Sequence, residues 1–171
     1  VGLCFTGNYL AYNDYQKDGV PRSFIYRALI ASYSLEQAVK ICANIPRSSA
    51  ENQLITSLNR QIDTECSATD FGISEVQDIY AHTNHYIIHK MLKYVNYPPS
   101  RASMKRLERV NHLLKQNYGQ LNVDMIKRII EDHGYGDKDS AICVHGPMTS
   151  TIFNHCRIRN KADNLWLWSS M

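Results

Sequence analysis

The chain has 171 residues, 44% hydrophobic and 20% charged, which is enough apolar content to build a folded core. Its formal net charge is +3 with a pI near 8.6. Lys and Arg are interspersed with acids, as in Lys105-Arg106-Leu107-Glu108-Arg109, and no run approaches the ~18 apolar residues of a membrane span, so neither a nucleic acid nor a membrane is expected as a partner.

Val1 to Asn8 reads as an apolar strand closed by Gly7-Asn8, followed by a polar loop from Asn13 to Gly19. Pro21 suits a first helical turn, where a missing N–H costs nothing. Phe24, Ile25, Ala28, Leu29 and Ala31 then recur at helical spacing. Ser34 with Gln37 is a capping-box pattern ahead of Leu35, Ala38, Val39 and Cys42, and Pro46 forbids further helix. Asn52 to Thr56 and Gln61 to Thr64 fit two strands around a turn at Asn59-Arg60, and Val76 to Ala81 reads as another.

Pro98-Pro99 breaks the chain. Ser100 then opens a helix with Met104, Leu107, Val110 and Leu114 on one face. Asn122 caps the next, with Asp124 in its first turn and Val123, Ile126 and Ile130 as its buried stripe; Gly134 and Gly136 end it. Three apolar strands finish the chain: Ala141 to Val144, Ser150 to Ile158 and Leu165 to Trp168, with a turn at Gly146-Pro147. Trp166 and Trp168 alternate and share a face. Strands grouped apart from paired helices predict an α+β fold with a largely antiparallel sheet. A start at Val1 rather than Met, and a core strand stopping at Met171, suggest one incomplete domain over residues 1–171, truncated at both ends.

The five cysteines (Cys4, Cys42, Cys66, Cys143, Cys156) are odd in number, scattered, and in no C-x-x-C pair. They read as isolated buried thiols in a reducing compartment. No N-x-S/T acceptor is present, in keeping with a non-secreted protein.

His82-Thr83-Asn84-His85, with His89 nearby, is the most conspicuous polar cluster. His85 and His89 at i, i+4 could share a helix face and bind zinc, but no third ligand has persuasive spacing and H-E-x-x-H is absent, so no metal is expected. A solvated polar turn is a second reading. The third is a catalytic loop in which the neutral Asn84 amide donates to a developing oxyanion. Asn8, after Thr6-Gly7, reads on spacing alone as a strand-end turn residue, with Gly7 allowing close approach of a substrate. G-x-S-x-G, G-x-G-x-x-G and the P-loop are absent, so nucleotide binding and cofactors have no support. The eleven Tyr are dispersed, as core and interface packing would scatter them.

Six segments resemble a known family in order and spacing. They are Gly2-Leu3-x-x-Thr6-Gly7-Asn8, Gly19-Val20-Pro21-Arg22-Ser23-Phe24-x-x-Arg27-Ala28-Leu29, Ser34-Leu35-Glu36-Gln37-Ala38, Pro46-Arg47-Ser48-Ser49-Ala50-x-Asn52, His82-Thr83-Asn84-His85-Tyr86, and Ala141-Ile142-Cys143-x-His145 with Thr151-Ile152-Phe153. Together they are similar to the C-terminal two-thirds of the acyl-CoA:6-aminopenicillanate acyltransferase-like family of N-terminal-nucleophile hydrolases, relatives of bile salt hydrolases and penicillin V acylases. The resemblance implies part of a four-layer αββα sandwich. It also implies a precursor that cleaves itself to expose an N-terminal Cys, whose thiolate attacks an amide or thioester carbonyl with its own α-amino group as base. Asn8 and Asn84 then support the oxyanion or orient the nucleophile, and Thr6, His82 and His85 are the expected substrate contacts.

The family's Cys lies upstream of the strand that begins this chain, and Cys4, mid-strand, is not its counterpart. Where relatives often carry an Arg around the closing hairpin, this chain has Val144 and Met148; Arg157 and Arg159 come too late to match. The expected partners are therefore a small-molecule amide or acyl donor and an upstream segment bearing the Cys. The alternative is a non-catalytic relative that binds a ligand or partner on the same scaffold.

Overall fold

In the computed structural model, residues 2–11, 13–95, 100–136, 140–145, 153–159 and 164–170 are described. The chain divides into two units, residues 1–100 and 101–171.

The first unit is built on a four-stranded antiparallel sheet in the order β1 (Cys4–Tyr9), β2 (Glu51–Thr56), β3 (Gln61–Cys66), β4 (Phe71–Val76). Two helices, α1 (Arg22–Ile30) and α2 (Leu35–Asn44), connect β1 to β2. Side chains alternate across a strand, so odd positions of β1 share a face with Ile55, Ile62, Cys66 and Phe71. Against that face Ile25 and Leu29 of α1 and Leu35, Ala38 and Cys42 of α2 form an apolar core with Phe5, Ile55, Ile62 and Phe71. The opposite face carries a smaller core of Leu10, Ala50, Tyr86 and Met91, closed by the 3-10 turn His89–Tyr94.

Helix boundaries follow local chemistry. Pro21 stands at the cap of α1 with extended backbone, and α1 buries Ile25 and Leu29 as the spacing predicts, although Phe24 on the flank of that stripe is 68% exposed. Ser34 caps α2, accepting from the Gln37 N–H at 3.1 Å. Gln37 reaches back past the cap to accept from the Tyr33 N–H at 2.8 Å, a capping box displaced by one residue. After α2 the buried Arg47 guanidinium donates to the carbonyls of Ser67 (2.9 Å), Asp70 (3.1 Å) and Cys42, tying the helix end to the β3–β4 turn. A parallel bridge between Val20 and Arg47 joins the chain entering α1 to the chain leaving α2.

β4 corrects one expectation. The strand runs over Phe71–Val76, and 77–81 is not strand. Gly72 weakened the local signal, yet it is there for a reason: a Cβ would overlap the Met91 side chain. Cys42, Cys66 and Cys143 are buried and free of disulfides, Cys4 is half-buried, and the Cys66 thiol donates to the Cys42 carbonyl at 3.8 Å.

The second unit contains α3 (Arg101–Gln116), α4 (Val123–Ile130), a 3-10 turn at Gly134–Gly136, and an antiparallel pair β5 (Phe153–Arg159) and β6 (Asn164–Ser170). Asn122 caps α4 by accepting from the Met125 N–H at 2.9 Å, with Asp124 in the first turn. In α3 Leu114 is buried while Met104 is 49% exposed. In α4 Ile129 is the buried residue; Val123, Ile126 and Ile130 are half-buried, so the stripe is rotated from the expected one. Ala141–Val144 is not a strand. The N–H groups of Ile142 and Cys143 both donate to the Asp132 carbonyl at 2.9 Å, which satisfies them without a ladder. Trp166 and Trp168 fall on β6. Pro98-Pro99, Gly146-Pro147 and Met148 lie outside the described residues.

Gly19 meets the Arg47 bridge so closely that a Cβ would overlap the backbone of Arg47 and Ser48. Backbone cannot swing aside as a side chain can. Gly19→Ala is expected to destabilise the protein by roughly 1–3 kcal/mol, measured as a shift in the urea midpoint at unchanged slope.

Candidate functional site

The face of the sheet away from α1 and α2 is polar at its centre. Strand register aligns Asn8, Asn52, Glu65 and Gly72 in one row across β1 to β4, and Thr6, Leu54, Asp63 and Ser74 in the next. Asn52, Asp63 and Glu65 are at most 1% exposed. Buried polar groups of this kind need partners, and here they find them in each other and in the segment 80–88.

Glu65 is the centre of this arrangement. Its Oε1 accepts from the Ile87 N–H at 2.6 Å and lies 2.8 Å from His82 Nε2; its Oε2 accepts from the Ile88 N–H at 3.0 Å. The other His82 nitrogen, Nδ1, is 2.6 Å from the Thr83 carbonyl. The His82 and Glu65 side chains that meet here are 4% and 0% exposed. Asp63 accepts from the Tyr80 hydroxyl at 2.6 Å and from the Asn52 amide. Burial pushes the Asp63 carboxyl above the usual range, and burial and Asp63 together push the Tyr80 hydroxyl up.

Segment 82–84 meets the end of β1 at this place. The Asn8 amide donates to the Thr83 carbonyl at 3.4 Å and lies 3.3 Å from His82 Nδ1 and 3.5 Å from Asn52 Oδ1. The Asn84 amide donates to the Tyr9 carbonyl at 2.9 Å, and the Ala11 N–H donates to the Asn84 carbonyl at 3.4 Å. Thus Asn8 and Asn84, 76 positions apart in the sequence, sit at one end of β1, and His82 sits with them. Thr6 is two residues before Asn8 on the same face of the strand, half-buried. His85 is half-buried, with Nδ1 3.2 Å from Thr83 Oγ1.

Among the described residues His82, His85 and His89 do not converge; His82 gathers with Asp63 and Glu65. That trio could satisfy a cation by residue type, but its oxygens are already engaged by Tyr80, Asn52, Ile87 and Ile88, which makes it a hydrogen-bond network.

Sequence reasoning missed Asn52, Asp63, Glu65 and Tyr80. One signal was present: Ile62, Thr64 and Cys66 alternate with Asp63 and Glu65, which puts both carboxylates on one face of a strand whose other face is packed. Among the described thiols of the first unit none lies against Asn8: Cys4 is four residues back on β1, while Cys42 and Cys66 belong to the helix-side core.

On that helix side a third carboxyl, Glu51, is buried with neither oxygen hydrogen-bonded among the described residues. Burial pushes it up to about 7 against the pull of Arg47 and Arg22.

The sequence model of the acyl-coenzyme A:6-aminopenicillanic acid acyl-transferase family matches residues 1–153. No curated protein matches the chain.

Two outcomes are expected from the buried carboxyls. Glu65→Ala strands two backbone N–H groups and His82, and should cost roughly 3 kcal/mol or more, with faster hydrogen exchange at the Ile87 and Ile88 amides. Glu51 keeps its proton in the folded state while the unfolded chain releases it. The Glu51 contribution to stability should therefore be full below about pH 4.5 and be lost as pH rises to about 7. Glu51→Gln should flatten that slope and leave the protein more stable at pH 8 by roughly 3 kcal/mol, read from urea denaturation across pH.

Proposed function

The chain belongs to the acyl-coenzyme A:6-aminopenicillanic acid acyl-transferase family, and from that premise we propose that it forms most of the site of an enzyme that cleaves or transfers a linear amide through a thioester acyl-enzyme. The family places it with acyltransferases and hydrolases in general. The finer reading assigns the nucleophile to a Cys at the N-terminus of a segment upstream of Val1, released by self-cleavage. The thiolate attacks the carbonyl, the amine leaves with a proton relayed by the Cys α-amino group, and water or an acceptor amine resolves the thioester. The sheet of the first unit would be one of two in an αββα sandwich.

The observation that carries this reading is the meeting of Asn8 with the 82–84 segment. Neutral amides held by a buried network are the donors an oxyanion requires, since they bring no charge of their own and need no reorganisation during reaction. Asn8 is held by Thr83 and the Asn52 side chain, Asn84 by the Tyr9 carbonyl, and His82 by Glu65. In this scheme Asn84 and Asn8 act on the oxyanion, and Thr6, His82 and His85 line the approach of the acyl group. Hydrolysis is favoured over acyl transfer, which needs a site that excludes water.

Val144, where relatives often carry an Arg, favours a second reading in which the scaffold binds a ligand without turnover. Kinetics separate the two. The protein as its native host produces it should hydrolyse members of a panel of N-acyl p-nitroanilides, and Asn84→Ala should lower kcat by ~10²–10³ with a smaller change in KM. Binding without turnover would leave the scaffold reading; turnover that survives Asn84→Ala and Asn8→Ala unchanged would remove the amides from the mechanism.

A further inference from the structure

In the second unit three ligating side chains come together from two segments: His133, Cys143 and His145. Their nitrogen and sulfur atoms lie within 4.8 Å of one another, with Cys143 Sγ 3.2 Å from His145 Nε2. The rings of His133 and His145 stack at 5.2 Å between centroids. Cys143 is buried, while both histidines are exposed.

The surrounding backbone is shaped to make this meeting happen. Asp132, just before His133, accepts from Arg109 through both carboxylate oxygens at 3.0 and 2.7 Å and from the Gly134 N–H at 3.0 Å. Its carbonyl takes the N–H groups of Ile142 and Cys143, which sets Cys143 beside His133. Gly134 has φ +72°, and a Cβ there would come within 2.7 Å of Ala141 N and Ser140 Oγ. Only glycine allows both the left-handed turn and the close return of 140–141. The segment 141–145 gives up strand geometry to make these contacts.

We propose that His133, Cys143 and His145 bind one divalent cation of the zinc class. A tetrahedral zinc with Zn–S of about 2.3 Å and Zn–N of about 2.0–2.1 Å sets its ligand atoms about 3.3–3.7 Å apart; Cys143 Sγ and His145 Nε2 stand 3.2 Å apart with His133 within 4.8 Å of both, so side-chain rotations complete the geometry. A thiolate with two imidazoles selects zinc or cobalt over magnesium or calcium, which take oxygen ligands. Three protein ligands leave a fourth position on the solvent side, where the histidines are exposed, for water. The bound cation joins the turn after α4 to the segment 141–145 and takes the Cys143 proton to solvent.

The test uses the 171-residue chain, stripped with chelator and titrated with Co²⁺, then with Zn²⁺ in competition. One equivalent of Co²⁺ should bind with a thiolate-to-cobalt charge-transfer band, Zn²⁺ should displace it, and the Ile142 and Cys143 amides should exchange more slowly with zinc bound. Cys143→Ala should abolish the band. If Cys143→Ala fails to fold, His133→Gln and His145→Gln, at exposed positions, should each weaken cobalt binding at least about tenfold with unchanged circular dichroism. No band with the folded chain, a band that survives Cys143→Ala, or affinities unmoved by both histidine variants would overturn the proposal.

Discussion

The first unit depends on how the Glu65 carboxylate is used. It sits in the middle of a sheet with no exposure, and it exchanges hydration for three contacts delivered by one segment: the His82 ring and the Ile87 and Ile88 N–H groups. A buried carboxylate is tolerated only when its lone pairs are filled, so the segment is obliged to lie on this face of the sheet. Once it does, Thr83 and Asn84 meet Asn8 and Tyr9, Tyr80 reaches Asp63, and Tyr86 fills the small core with its hydroxyl on the Cys66 carbonyl. Gly72, opposite Glu65 on β4, leaves the room that Met91 occupies.

This arrangement divides labour between the two faces of one sheet. The helix side is held by apolar burial around Ile25, Leu29, Ala38, Ile55 and Ile62, a non-directional force that fixes the layers but not side-chain angles. The other side is held by directional contacts between Asn8, Asn52, Asp63, Glu65, Tyr80 and His82. Directional contacts are weaker in net energy, but they determine where an amide points. The role proposed for Asn8 and Asn84, presenting neutral donors to a developing charge, requires that precision.

The sequence made legible the elements governed by local chemistry. Ser34 and Gln37 announced α2, Asn122 announced α4, and the alternation around Asn59-Arg60 announced β2 and β3. It was misleading where tertiary contacts override local preference. Gly72 disguised β4 because its value lies in the space it leaves for Met91. Ala141–Val144 has the apolar content of a strand, but its N–H groups go to Asp132. Phe24 and Met104 show that a residue on an apolar stripe can still face water at its edge. Asn8 and Asn84 could be paired from the sequence only through resemblance to a family, since nothing in their spacing brings them together. Glu65 was invisible for a related reason: a single carboxylate in a strand gives no local sign of whether it is solvated or buried.

The account stands on a nucleophile supplied from upstream to a site held by Asn8, Asn84 and the Glu65 network. The most direct measurement is intact-mass and N-terminal analysis of the protein as its native host makes it, before and after incubation with an N-acyl amide. The account predicts a species beginning with Cys upstream of this chain, and an added acyl mass on that Cys that disappears with hydroxylamine. A product that begins near Val1, with no Cys-bearing partner and no acyl adduct, would contradict it.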